Sequence, residues 1–120
     1  MITIEKVTEY DAEELLQIYA PYVTDTAISF EYDVPTLDEF RERILNISKE
    51  YPYIVATVEN QIVGYAYAHE FHGREAYRHT CETSIYVDEK YHGQGIGRIL
   101  YGKYAEKIAF EKVIILLGSL

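Results

Sequence analysis

Gly93, Gly95 and Gly97 stand at alternate positions in the run YVDEKYHGQGIGRILYGKY, residues 86–104, between a strand-like stretch and a helix-like one. A loop that leaves a strand and opens a helix aims its free N–H groups, and the positive end of the helix dipole, at one spot. That chemistry binds anions, phosphates above all. Glycine also lets the backbone approach a ligand with no Cβ in the way. Lys90 and Arg98 flank the loop, a small basic cluster in a chain of formal net charge −9. A plain turn would need fewer glycines.

Two phosphate-loop patterns fail on spacing. A nucleotide-hydrolase loop needs Lys and then Ser or Thr after its last glycine, and the chain reads Gly97-Arg98-Ile99. A dinucleotide site needs G-x-G-x-x-G early in a β-α-β unit. Here Arg98 occupies the third glycine's place, and the strands ahead of the loop read as a meander.

Glu82 is the lone acid inside the strand-like TCETSIYV; as a surface residue it would pair with Arg78 or His79. Arg78 could hold a carboxylate bidentately or be an ordinary surface charge. His69, Glu70, His72 and Cys81 match no standard zinc spacing, so no metal is expected. Cys81 is the only cysteine, which leaves no disulfide framework and points to a reducing, cytoplasmic setting.

The elements that must position these groups follow from periodicity. MITIEKV alternates as a short strand, and Asp11 with Glu14 reads as a capping box opening a helix with Ala12, Leu15, Leu16 and Tyr19 on one face. Pro21 is expected to end or kink it. Thr36 and Glu39 form a second capping box, ahead of Leu37, Phe40, Ile44 and Ile47 at helical spacing. YIVATV, the turn ENQ and IVGYAYAHEF read as a β-hairpin. TCETSIYV is a further strand. A third helix carries Ile96, Ile99, Leu100, Tyr104 and Ile108 on one side, and Val113–Leu117 reads as a strand buried on both faces. The order is β-α-α-β-β-β-α-β, an α/β fold that is not simply doubly wound.

At 120 residues the chain makes one domain, long enough to bury roughly two-thirds of its unfolded surface. The acidic balance argues against nucleic-acid or anionic-membrane partners, and no apolar run is long enough to span a bilayer. Thirteen tyrosines and no tryptophan point to a polar-rimmed aromatic lining.

The segment from Thr83 to Phe110 resembles the coenzyme-A-binding segment of the GCN5-related N-acetyltransferase (GNAT) family. The family signature, Gln/Arg-x-x-Gly-x-Gly/Ala, falls here as His92-Gly93-Gln94-Gly95-Ile96-Gly97, departing at His92. IYAPYV, ISFEY and AYRHTCETSIYV resemble the phosphinothricin acetyltransferase branch, which acetylates the free amine of small amino-acid-like compounds. The resemblance implies a mixed, mostly antiparallel sheet flanked by helices. It implies acetyl-CoA as co-substrate and direct transfer, without metal or acyl-enzyme, to an acceptor such as phosphinothricin or methionine sulfoximine. His92, Gly93, Gln94, Gly95, Ile96, Gly97 and Arg98 would hold the pyrophosphate. Ile85, Tyr86 and Val87 would pair with the pantetheine arm like an added strand, and an N–H of that strand would serve the oxyanion. Glu82 would be the general base. Phe30, Tyr32 and Arg78 would bind the acceptor; Tyr65 and Tyr67 are either pocket lining or core.

The family fold continues past the strand matching VIILL with a further helix and two strands. The expectation is therefore a single domain over 1–120 that is C-terminally incomplete, self-associating as a homodimer or higher through its last strand. The leaving-group acid has no assigned residue unless Tyr86 or a tyrosine of the third helix serves. The alternatives are a non-catalytic CoA-binding or dimerisation module, and a fragment ordered only in an assembly.

Overall fold

The computed structural model describes residues 2–24, 33–70, 80–109 and 114–119. Along the chain run β1 (Ile2–Lys6), a 3-10 turn (Glu9–Asp11), α1 (Ala12–Thr24), α2 (Leu37–Ser48), β2 (Tyr53–Val58) and β3 (Gln61–Glu70). Then come β4 (Thr80–Val87), a second 3-10 turn (Glu89–Tyr91), α3 (Ile96–Ala109) and β5 (Ile114–Ser119). The strands lie in the sheet in sequence order; β1 to β4 pair antiparallel, and β5 joins β4 in parallel. A parallel neighbour requires a crossover, and α3 supplies it. The sheet is mixed and mostly antiparallel, flanked by helices, as expected.

Local chemistry sets the element ends, with two departures from the sequence reading. Asp11 does not open its own helix: its Oδ2 accepts from the Thr8 N–H at 2.8 Å, so the acid caps from within the 3-10 turn. Glu14, expected to partner Asp11, accepts instead from the Ile62 N–H of β3 at 3.3 Å. Pro21 lies inside α1 and does not end it. Proline in a helix forfeits one hydrogen bond; tertiary contacts made by Tyr22 in the next position hold the last turn in place. The second capping box is as read: Glu39 N–H to Thr36 Oγ1 at 3.1 Å, and Thr36 N–H to Glu39 Oε1 at 2.9 Å.

The β2–β3 turn has two residues, with Gln61 already in β3. Glu59 (φ 51) and Asn60 (φ 65) are both left-handed, as a type I′ hairpin turn demands. Between Ala56 and Thr57 the register slips, placing an extra residue, Val63, in β3. That bulge changes which residues of β3 face which side.

Two apolar layers result. Leu15, Ile18 and Tyr19 of α1 and Phe40 and Ile44 of α2 pack with Tyr53, Val55, Tyr65 and Tyr86 on one face of the sheet. On the other, Ile96, Leu100 and Tyr104 of α3 cover Ile54, Ala56, Val63, Ala66 and Ile85. Tyr104 is fully buried and donates its hydroxyl to the Pro52 carbonyl at 2.8 Å, pinning α3 to the start of β2. Ile99, expected on the buried side of α3, is 39% exposed. It follows Ile96 by three residues, and the stripe is carried by Ile96, Leu100 and Tyr104, each four apart. Among the described residues, no helix is long and apolar enough to cross a membrane.

Candidate active site

The glycine loop takes its shape from two left-handed residues, Gly93 (φ +82°) and Gly95 (φ +78°). A Cβ at either would meet nothing within 4 Å, so the requirement for glycine is conformational and the space beside it is open. Gly97 differs: it lies in the first turn of α3, and a Cβ there would reach ordinary contact with Val87 Cγ2 at 3.8 Å. The Gly95 carbonyl accepts from the Ile99 N–H at 3.1 Å, which makes Gly95 the residue from which the helix begins. The N–H groups of Ile96, Gly97 and Arg98 therefore have no acceptor within α3. The first turns of α1 and α2 carry Glu13 and Glu14, and Asp38 and Glu39, whereas the first turn of α3 carries no acid and includes Arg98.

Beside this helix end lies an incompletely paired strand edge. Asp88 N–H donates to the Val63 carbonyl at 2.9 Å, in line with the Val87–Gly64 and Tyr86–Tyr65 register. Alternation along an antiparallel ladder then turns the Tyr86 N–H and C=O toward Tyr65, and turns those of Ile85 and Val87 away from β3. On that outer side β5 registers with β4 from Thr80 to Ser84 and no further among the described residues. The Ile85 carbonyl and both backbone groups of Val87 thus lie along an edge that β5 leaves uncovered.

Two cavities meet at this point. One, of about 240 Å³, is lined by Tyr22, Val87, Tyr91, His92, Gly93, Gly95, Ile96 and Gly97. The other, of about 400 Å³, runs along Ile85, Val87, Gly93, Gly95, Gly97, Arg98 and Tyr101. They share Val87 and all three loop glycines.

A polar contact closes the inner end. Tyr22 donates its hydroxyl to the Val87 carbonyl at 2.7 Å. His92 Nε2 lies 3.1 Å from that carbonyl and 3.0 Å from the Tyr22 hydroxyl. Burial raises the Tyr22 phenol above its ordinary value, against the lowering effect of its bond to Val87.

Behind Tyr22 runs a tyrosine cluster. Tyr86 meets Tyr22 and Tyr19 edge-on, with centroids 5.1 and 5.2 Å away, and leans on Tyr65 at 5.4 Å. Tyr53, Tyr65 and Tyr67 stack. Desolvation pushes the phenols of Tyr53, Tyr65 and Tyr67 well above their ordinary value; at Tyr67 a hydrogen bond with Ser84 opposes the shift. These rings stay neutral and apolar in function, so the tyrosine-rich composition serves the core as much as any pocket.

The structure brings Ile85, Val87, His92, Gly93, Gly95, Ile96, Gly97 and Arg98 to one groove. Gln94 is exposed between the two left-handed glycines. Tyr86 contributes its ring to the cluster and turns its backbone groups toward β3. Tyr65 is buried in the core, and Tyr67 packs against it. Glu82 lies in β4, in register with His69 and Leu116, two and four residues before Ser84 and Tyr86. Phe30, Tyr32, Arg78 and His72 lie outside the described residues. No group of three or more His, Cys, Asp or Glu able to hold a metal occurs among the described residues. Tyr22 and Tyr101 line the groove although no spacing rule singled them out; Tyr22 lies in the IYAPYV segment that carried part of the resemblance.

Residues 4–116 match the model of the acetyltransferase (GNAT) domain family. Phosphinothricin N-acetyltransferase of Alcaligenes faecalis is 37% identical over 99 residues, which cover 82% of this chain and 50% of that enzyme. Two solved structures superimpose closely. Ribosomal-protein-alanine N-acetyltransferase from Brucella melitensis is 34% identical with a TM-score of 0.86, over 92% of this chain and 69% of that one. A GNAT superfamily phosphinothricin acetyltransferase from Sinorhizobium meliloti, solved with AcCoA, is 33% identical with a TM-score of 0.81, over 88% of this chain and 58% of that one. The chain thus spans about half the length of the Alcaligenes enzyme it matches.

Proposed function

The chain belongs to the GNAT acetyltransferase family, and on that premise we propose that it transfers an acetyl group from acetyl-CoA to the primary amine of a small amino-acid-like acceptor. One observation carries the reading: the uncovered edge of β4 at Ile85 and Val87 lies directly beside the acid-free N-terminus of α3. Such a groove fits a ligand with an amide-bearing arm and an anionic diphosphate end. The N–H groups of Ile96, Gly97 and Arg98, with the Arg98 guanidinium, would take the diphosphate; the Ile85 carbonyl and the Val87 N–H would take the arm. Bound there, acetyl-CoA supplies an activated acyl thioester.

The chain's own residues would do the rest. Glu82 accepts a proton from the acceptor's ammonium group, freeing the nitrogen lone pair for direct attack on the acyl carbon. The C–N bond forms as the thioester C–S bond breaks, and the departing sulfur takes up the second nitrogen proton. An N–H on the outer edge of β4 stabilises the charge that develops on the acyl oxygen. Phe30, Tyr32 and Arg78 orient the acceptor, Arg78 through a carboxylate, as phosphinothricin or methionine sulfoximine would present. A cytoplasmic setting suits the single cysteine. We further propose that the chain self-associates through β5, which among the described residues is one of the two edge strands of the sheet; light scattering that finds only monomer at high concentration would count against it.

Calorimetric titration of acetyl-CoA into the chain and its Gly95→Asp variant tests the reading. Micromolar binding, about −8 kcal/mol, should be abolished by the variant's negative charge and strained φ. No binding by either protein would overturn it. Binding without turnover of any small amine would leave a CoA-binding module.

A further inference from the structure

Three polar atoms meet at the end of β4: the Tyr22 hydroxyl, the Val87 carbonyl oxygen and His92 Nε2, with separations of 2.7, 3.0 and 3.1 Å. Their chemistry fixes the proton. A bare Nε2 lone pair would face the carbonyl lone pairs across 3.1 Å, a repulsive contact. A proton on Nε2 instead donates to the carbonyl and to the Tyr22 oxygen, while the Tyr22 hydrogen goes to the carbonyl. Both lone pairs of the Val87 oxygen are then used. Tyr22 itself is held edge-on against Tyr86, its ring centroid 6.4 Å from that of His92.

We propose that His92 is a positioning residue: its Nε2–H and the Tyr22 hydroxyl together close off the Val87 carbonyl, so that this end of the groove offers its ligand N–H donors and withholds an acceptor. The inference rests on the coenzyme-A reading for its ligand, though its geometry stands independently. Two consequences follow. The stretch of ligand crossing Val87 must present acceptors, carbonyl or phosphate oxygens, to the N–H groups there; a donor at that point would find no partner. Recognition of the diphosphate falls to the loop backbone and Arg98, because the Nε2 of position 92 is committed inward. The same bonds join the last turn of α1 to the residue that leads into the glycine loop, so this end of the groove is held from across the sheet.

Nitrogen-15 NMR of the imidazole in the ligand-free chain reads the tautomer directly. The Nε2–H form is expected, and a predominant Nδ1–H form would overturn the proposal. Acetyl-CoA titrations then read its consequence. Tyr22→Phe and His92→Leu should each raise the dissociation constant roughly three- to tenfold, and KM in step with kcat unchanged. His92→Gln, whose side-chain amide can supply a donor near the Nε2 position, should restore most of the loss. Unchanged affinity in both variants, with thermal melts showing each folded, would also overturn it. If the unaltered chain binds no acetyl-CoA, the coenzyme reading fails, and the tautomer measurement alone still decides the Tyr22–His92–Val87 contact.

Discussion

Gly64 lies beneath Leu100: a methyl group at Gly64 would sit 3.1 Å from Leu100 Cδ1 and 3.1 Å from the Tyr86 carbonyl oxygen. The first contact could yield by a rotamer change; the second is a backbone carbonyl of β4, which yields less readily. Gly64→Ala is therefore expected to destabilise the fold by about 1–3 kcal/mol. A lowered urea midpoint with unchanged slope would show it; a midpoint equal to that of the parent chain would mean that α3 packs less closely than described.

The loop glycines should separate by conformation. Gly93→Ala forces a side chain into the left-handed region at φ +82°, costing about 1–2 kcal/mol. Gly97→Ala lies in the first turn of α3 with room for a Cβ, and gains up to about 1 kcal/mol from helix propensity. Opposite shifts in the urea midpoint are expected. Equal shifts would refute the division.

Glu82→Gln removes a proton acceptor and keeps the side-chain shape. If the general-base reading holds, kcat with a small primary amine falls about 10²- to 10⁴-fold, while acetyl-CoA affinity stays near that of the parent. Parallel loss of both would point instead to a structural role in β4.

The tyrosine cluster predicts the alkaline limit. Burial raises the phenols of Tyr53, Tyr65 and Tyr67 above their ordinary value of 10.0. A raised value means that the folded state holds its proton more tightly than the unfolded one. This contribution is complete below pH 10 and is lost as pH climbs beyond it, by about 1.4 kcal/mol per pH unit for each buried ring. Tyrosinate absorbance should rise in two waves, the second coinciding with loss of near-ultraviolet dichroism. A titration completed before any loss of structure would show that the cluster is accessible to base.

Much of this architecture is legible from local pattern. The Thr36–Glu39 box, the helical spacing of Phe40 and Ile44, and the glycines opening α3 are short-range signals, and each element formed where its chemistry dictates. What escaped depends on distant partners. Pro21 reads as a helix end or a kink, and α1 continues through it to Thr24, with Tyr22 bound to the Val87 carbonyl far along the chain. Glu14 reads as half of a cap, yet it bonds the Ile62 N–H of β3. The bulge at Val63 is a property of pairing, invisible in one strand alone. The same holds for the site: the loop was legible, but which backbone groups of Ile85, Tyr86 and Val87 face outward follows from the register with β3.

The two-residue turn at Glu59 and Asn60 bears on how the chain reaches this state. Joining β2 to β3 closes almost no loop, and hairpins of this kind assemble in about 1–10 μs. Adding β1 to β2 requires closing roughly fifty residues, an entropic cost recovered only when both helices have packed. The β2–β3 hairpin is thus the natural nucleus and β1 a late arrival. Substitutions at the turn should slow refolding, whereas those in β1 should mainly hasten unfolding.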